Sequence, residues 1–167
     1  MSFGRWLLQL LLLAAALGIP AFPLGEMLPR RWFHPERFPY RSAAWEQGGA
    51  FYEKLHIRRW KDSFPDMSRL IPKAYTKKIG MLRDPEHVRR LIAETCSAEA
   101  VHWVLLLLSL PLFPAVMGPW GWLALLVYNL AGNLPPIIIQ RYNRPRMALL
   151  LAKMERAARK KEGVAQA

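Results

Sequence analysis

The sequence predicts an all-α membrane protein: about three transmembrane helices, one N-terminal span plus a C-terminal helical hairpin, with a helical and irregular cytoplasmic segment between them. Two observations predict it. First, 53% of the 167 residues are hydrophobic and seven are Trp, yet 24 Lys+Arg stand against 12 Asp+Glu for a net charge of +12. The charged and the apolar residues lie in separate segments, whereas a nucleic-acid binder of this charge is polar throughout, so nucleic acid is not an expected partner. Second, the apolar runs are long enough to exclude disorder and to cross a bilayer. A single cysteine, Cys96, excludes an intramolecular disulfide and multi-cysteine metal signatures. The chain divides into a span at 1–28, a cytoplasmic interfacial segment at 29–100, a transmembrane hairpin at 101–140 and a basic tail at 141–167.

The first span, Trp6 to Leu24, holds 19 residues with Gln9 as its one strongly polar member. At 1.5 Å per residue it covers roughly 28 Å of a hydrocarbon layer about 30 Å thick. Pro20 and Pro23 sit at its far end, where a kink or helix exit is tolerable. The competing reading is a cleaved signal peptide, with Arg5, an apolar core and then Ala14, Ala15 and Ala16. The run continues past those alanines without a clear cleavage site, which favours a retained span. The second and third spans, Val101–Trp120 and Gly121–Ile139, form 39 residues without a formal charge apart from His102. Met117-Gly118-Pro119-Trp120 supplies the turn between them. Pro111, Pro114, Pro135 and Pro136 suggest kinked spans.

Segment 29–100 carries 15 Lys+Arg and segment 141–167 carries 8, while the turn between spans two and three has no charge. The positive-inside rule therefore places both basic segments in the cytoplasm and the amino terminus outside. Within 29–100, Pro29–Tyr40 suits an extended chain along the interface, Trp45–Trp60 suits a helix, and Trp60-Lys61-Asp62-x-x-Pro65 suits a turn. Asp84-Pro85-Glu86 opens a helix, with Asp84 as N-cap and Pro85 at the first helical position. The tail Met147–Lys161 reads as a helix leaving the membrane, its cations attracted to anionic lipid headgroups. Three spans make a thin bundle, for which self-association as a homo-oligomer or pairing with a partner enzyme is an expectation.

Two polar constellations stand out against this background. Glu99 and His102 are three apart and share a helix face, and Glu94 precedes Glu99 by five positions. A histidine beside a carboxylate can serve as a general base toward a hydroxyl. The alternative is a structural Glu–His hydrogen bond that anchors the helix. The other constellation closes the third span: Asn129, Asn133, then Gln140-Arg141-Tyr142-Asn143-Arg144-Pro145-Arg146. Its plain reading is the basic stop after a span, but amides, Arg and Tyr at this density suit phosphate or sugar hydroxyls. Lys61 and Asp62 belong to the same face by the topology, so all these groups are expected to converge on one interface.

Tyr52-Glu53-Lys54-Leu55-x-Ile57-x-x-Trp60-Lys61-Asp62-x-x-Pro65, Glu94-Thr95-Cys96-x-Ala98-Glu99-x-x-His102-Trp103, Asn133-Leu134-Pro135 and Gln140 to Arg146 together resemble the glycosyl-4,4'-diaponeurosporenoate acyltransferase family. These are small integral membrane proteins of staphylococcal carotenoid biosynthesis, and the resemblance covers roughly residues 50–150. It implies transfer of a fatty acyl group to a sugar hydroxyl on a glycosylated carotenoid or other glycolipid, with acyl-coenzyme A or acyl-carrier protein as donor. The His-x-x-x-x-Asp motif of glycerolipid acyltransferases is missing, since His56 to Asp62 is one residue too long.

The expected mechanism has His102, oriented by Glu99, deprotonating the hydroxyl, with Asp62 hydrogen-bonded to the sugar. Arg141, Arg144 and Lys61 bind the donor's phosphates or polarise its carbonyl. Trp60, Glu94, Asn133, Gln140, Tyr142 and Asn143 complete the expected substrate contacts. Glu94, Glu99 and His102 also raise a metal-dependent oxidoreductase, but Glu-x-x-His occurs once where a di-iron site needs two; neither metal nor cofactor is expected. A non-enzymatic membrane scaffold of a lipid-modifying complex is the remaining alternative.

Overall fold

The structure is a computed structural model that describes residues 2–64 and 84–165; Pro65, which closes the expected Trp60–Pro65 turn, lies outside the described residues. Helix α1 is Phe3–Met27, α2 Ile57–Trp60, α3 Pro85–Met117, α4 Trp120–Tyr128 and α5 Leu134–Ala165, with no strand among the described residues. Three helices, Phe3–Met27, Pro85–Met117 and the continuous run Trp120–Lys160, are long and apolar enough to cross a membrane. The chain is an all-α membrane protein. Large apolar side chains such as Leu8, Leu12, Leu107, Trp122 and Leu126 stand exposed along these helices, as a lipid-facing surface requires. The described chain forms two compact units, Met1–Phe33 with Ser97–Gln140 and His34–Cys96 with Arg141–Ala167.

In the first unit, Leu10, Phe113, Met117, Ala124 and Leu125 form the core, with Trp6, Leu13, Leu17 and Tyr128 packed on it. Phe113 and Tyr128 stack at 4.9 Å, which fastens α3 to α4. Gly118 takes φ +60° in the turn, a conformation that costs glycine nothing. Gly121 meets the backbone of Phe113 and Pro114 so closely that a Cβ there would collide with it. Helix α1 runs through Pro20 and Pro23 to Met27. Arg30 closes that end by donating to the carbonyls of Gly25 and Leu28 at 2.9 and 3.2 Å, satisfying two of the last-turn acceptors.

Between α4 and α5 the helix widens into a π turn over Asn129–Asn133. Pro135 and Pro136 explain it: neither has an N–H for the carbonyls of Ala131 and Gly132, and each ring crowds those oxygens in a regular helix. Widening the turn before the proline pair relieves both problems.

In the second unit Tyr52, Ile57, Val88, Leu91, Ile92, Cys96 and Tyr142 are buried. Helix α3 begins at Pro85 with the Glu86 N–H donating to Asp84 Oδ1 at 3.0 Å, the cap expected from Asp-Pro-Glu. Arg89 and Glu155 pair at 2.5 Å and link α3 to α5. Two expectations need correction. Pro29–Tyr40 is not extended: Arg30–Trp32 is a 3-10 turn, and further turns follow at 35–40. Trp45–Trp60 is not one helix: Ala44–Leu55 is 3-10 in character and broken by left-handed residues at Gln47, Gly48 and Gly49, and His56 is left-handed before α2. Gly49 explains the corner. A Cβ there would lie 2.7 Å from Arg146 Nη1 and 3.2 Å from the Tyr142 carbonyl, so the tight approach to α5 requires glycine.

Candidate active site

The structure gathers the candidate residues into two groups, one in each compact unit. In the first unit, His102 lies on α3, a half-buried side chain. Its Nδ1 is 3.1 Å from Asn133 Oδ1. Asn133 is 1% exposed and donates from Nδ2 to Asn129 Oδ1 at 2.9 Å. Asn129 donates to Ser109 Oγ and to the Leu125 carbonyl, both at 3.0 Å. Ser109 donates in turn to the Leu106 carbonyl at 2.7 Å. The π turn presents both asparagines toward α3, and their pairing satisfies amides that are costly within a spanning segment.

Glu99 is fully buried, and the Trp103 indole donates to its Oε1 at 3.2 Å. The sequence pairs Glu99 with His102; in the structure the hydrogen bond at the imidazole comes from Asn133 instead. Asn133 was expected as a substrate contact, because i, i+4 amides on one helix do not reveal which ring they meet 31 residues earlier.

The second unit holds Arg141–Arg146, most of which is committed to the fold. Arg141 forms a bidentate pair with Glu46 (2.5 and 2.8 Å) and donates to the Pro39 carbonyl at 2.9 Å. Glu46 is 1% exposed and also receives hydrogen bonds from the Tyr52 hydroxyl and the Ala43 N–H. Burial pushes the Glu46 carboxyl up, but the hydrogen bonds from Arg141, Tyr52 and Ala43 outweigh it and hold the group down at about 2. Burial and then the Glu46 carboxylate push the Tyr52 phenol up.

Tyr142 donates to Glu53 at 2.7 Å. Arg146 donates to Glu53 at 2.8 Å while its guanidinium lies over the Tyr142 ring at 3.5 Å, a cation–π arrangement. The Tyr142 hydroxyl, then Arg58, hold the Glu53 carboxyl below the usual carboxylate range. Arg144, 4% exposed, donates to Thr95 Oγ1 at 2.9 Å and to the Tyr40 carbonyl at 2.6 Å. Arg141 and Arg144 were expected to grip donor phosphates; these donors are instead directed at protein acceptors. Glu46, Glu53, Tyr52 and Thr95 are the partners that sequence reasoning missed, lying 95 and 89 residues from Arg141 and Tyr142 in the two carboxylate cases. The one available signal was Tyr52-Glu53 within the family-like string.

The remaining candidates are more open. Lys61 and Asp62 pair with each other at 2.8 Å, with the Asp62 side chain 77% exposed. The Trp60 indole donates to the Leu55 carbonyl at 3.0 Å, and Glu94 pairs with Arg90 at 3.3 Å along the helix. Gln140 and Asn143 are half-buried and make no side-chain hydrogen bond among the described residues. Among those residues no three His, Cys, Asp or Glu side chains gather as ligands for a metal ion. A cavity of about 310 Å³ in the second unit is lined by Tyr40, Ile92, Arg141, Arg144, Ala148 and Leu151, among others.

Residues 29–153 match the protein family described as glycosyl-4,4'-diaponeurosporenoate acyltransferase. Relatives bearing that name from Staphylococcus aureus strains bovine RF122 / ET3-1, MRSA252 and USA300 are each 31% identical over 135 residues, 80% of this chain and 80% of theirs. No solved structure matches the chain. With three quarters of its length matched to the family and relatives of that name 31% identical over 80% of both chains, the chain belongs to the glycosyl-4,4'-diaponeurosporenoate acyltransferase family.

Proposed function

We propose that this protein transfers a fatty acyl group from an acyl thioester to a sugar hydroxyl of a glycosylated carotenoid or closely similar glycolipid at the membrane. The relatives' name supports the acyl transfer and the glycosylated acceptor. The single observation that carries the mechanism is the hydrogen bond between His102 Nδ1 and Asn133, which occupies one ring nitrogen and leaves Nε2 for substrate.

In the proposed step, Nε2 of His102 accepts the proton of the sugar hydroxyl as its oxygen attacks the thioester carbonyl carbon. The carbon–oxygen bond forms, the carbon–sulfur bond of the tetrahedral intermediate breaks, and the proton passes from the imidazolium to the departing thiolate. Ester and free thiol result. Glu99, one turn before His102, is buried and accepts from the Trp103 indole, which fixes the helix face that carries the imidazole. The basic segments 29–100 and 141–167 face the cytoplasm in this reading, with the amino terminus outside and the tail against anionic headgroups.

The test supplies membranes containing the protein, or empty membranes, with isotope-labelled acyl-coenzyme A or acyl-carrier protein and a lipid extract holding glycosylated carotenoids. A labelled ester on the sugar, present only with the protein and located by fragmentation, is the expected product. Equal labelling in both, or none with either donor, contradicts the proposal, and the latter result favours a scaffold.

A further inference from the structure

The hydrogen-bond chain behind His102 has a direction, and two backbone carbonyls set it. The Leu125 carbonyl can only accept. The atom of Asn129 that lies 3.0 Å from it is therefore the amide nitrogen, which also donates to Ser109 Oγ. Ser109 accepts there because its own proton goes to a second carbonyl, that of Leu106. With its nitrogen so placed, Asn129 turns its oxygen to Asn133, whose nitrogen must donate. The Asn133 oxygen is then left facing Nδ1 of His102. An amide oxygen has no proton to give, so the ring must donate from Nδ1, and the lone pair of the neutral imidazole lies on Nε2.

We propose that Asn129 is a positioning residue: acting through Asn133, it holds His102 in the tautomer that carries its proton on Nδ1. This rests on the reading of His102 as the base, since an imidazole protonated on Nε2 could not accept the hydroxyl proton there. The sequence consequence is specific. Asn129, Asn133 and Ser109 act as one polarised unit, and Pro135-Pro136 helps to shape it by widening the helix turn that displays both asparagines.

The experiment records ¹⁵N spectra of the full-length protein in lipid nanodiscs, with its four histidines labelled at the ring nitrogens and His102 assigned by its loss in His102→Gln. The pH is set where the ring is neutral. Wild type is expected to show a protonated, pyrrole-type Nδ1 and an unprotonated, pyridine-type Nε2. Asn129→Leu keeps the branched shape but removes the acceptor that orients Asn133, and the two resonances are expected to move toward each other as tautomers mix. Asn129→Asp, with its carboxyl protonated within the span, keeps an oxygen toward Asn133 and a hydroxyl donor toward the Leu125 carbonyl, and is expected to keep the wild-type pattern.

Transfer, measured alongside, is expected to fall in Asn129→Leu and to survive better in Asn129→Asp. The fall is bounded by the ~10⁴-fold that a wrong histidine tautomer costs in serine proteases. Protonated Nε2 in the wild type overturns the proposal without need of any variant. Unchanged resonances in Asn129→Leu overturn the role of Asn129. The predicted spectra in a protein that transfers no acyl group support the tautomer assignment and count against the proposed reaction instead.

Discussion

Arg141 has 15% of its side chain exposed, and its partner Glu46 only 1%, so neither charge has water to fall back on. Replacing Glu46 by Gln removes the negative member of the bidentate pair that Arg141 makes beside the Pro39 and Arg41 carbonyls. Breaking a buried pair from one side costs about 3–5 kcal/mol, so Glu46→Gln is expected to lower the midpoint of thermal unfolding in detergent by several degrees. The same pair sets an acid limit. Glu46 ionises near 2 when folded against 4.5 unperturbed, so its contribution is fully present above about pH 4.5. It is lost as pH falls from there toward 2, and Glu53, also lowered, contributes in the same direction. The unfolding midpoint of wild type is expected to fall through that window, and Glu46→Gln to fall less steeply. Parallel slopes would mean that the pair is not the acid-sensitive element.

At the scale of elements, the corner Gln47-Gly48-Gly49 and the π turn Asn129–Asn133 are irregular pieces beside candidate side chains. Gly49 has φ +94° with a side chain and a carbonyl within reach of any Cβ. Gly49→Ala is expected to lose at least the ~1–2 kcal/mol of a left-handed alanine, whereas Gly4→Ala, with open space around it, is expected to be silent in the same unfolding assay. Pro135→Ala with Pro136→Ala restores the N–H groups that a regular helix needs. The double variant is expected to stay helical by circular dichroism but to lose transfer by about 10²-fold, the scale of a displacement near 1 Å at a reacting group.

These irregular pieces also mark where sequence reading stops. The spans, the hairpin turn at Gly118 and the helix start at Pro85 are legible because each rests on local chemistry: apolar length, a glycine, an Asp-Pro-Glu cap. The left-handed corner is not, since Trp45 to Trp60 has apolar residues at helical spacing and only the contact of Gly49 with α5 decides against a helix. The hydrogen bond of His102 to Asn133 is likewise invisible, because Glu99 at i−3 looks the nearer partner until the hairpin brings the π turn alongside.

For the whole molecule, the unequal placement of charge predicts orientation. Segments 29–100 and 141–167 hold 23 of the 24 basic residues, so both are proposed to lie in the cytoplasm. With the buried Cys96 replaced by Ala, a cysteine at Ser2 is expected to react with a membrane-impermeant maleimide on intact cells, and one at Gly163 only after permeabilisation. The opposite pattern would invert the topology and place the basic tail away from the anionic leaflet.

The central claim is that His102 takes the proton of the acceptor hydroxyl, and the transfer rate of His102→Ala tests it most directly. The variant would be compared with wild type in proteoliposomes, after matching their unfolding midpoints in detergent. General-base catalysis contributes typically 10²–10⁴-fold, so the rate is expected to fall by about that factor with the acceptor still bound. A variant that is equally stable and transfers the acyl group at close to the wild-type rate would contradict the account.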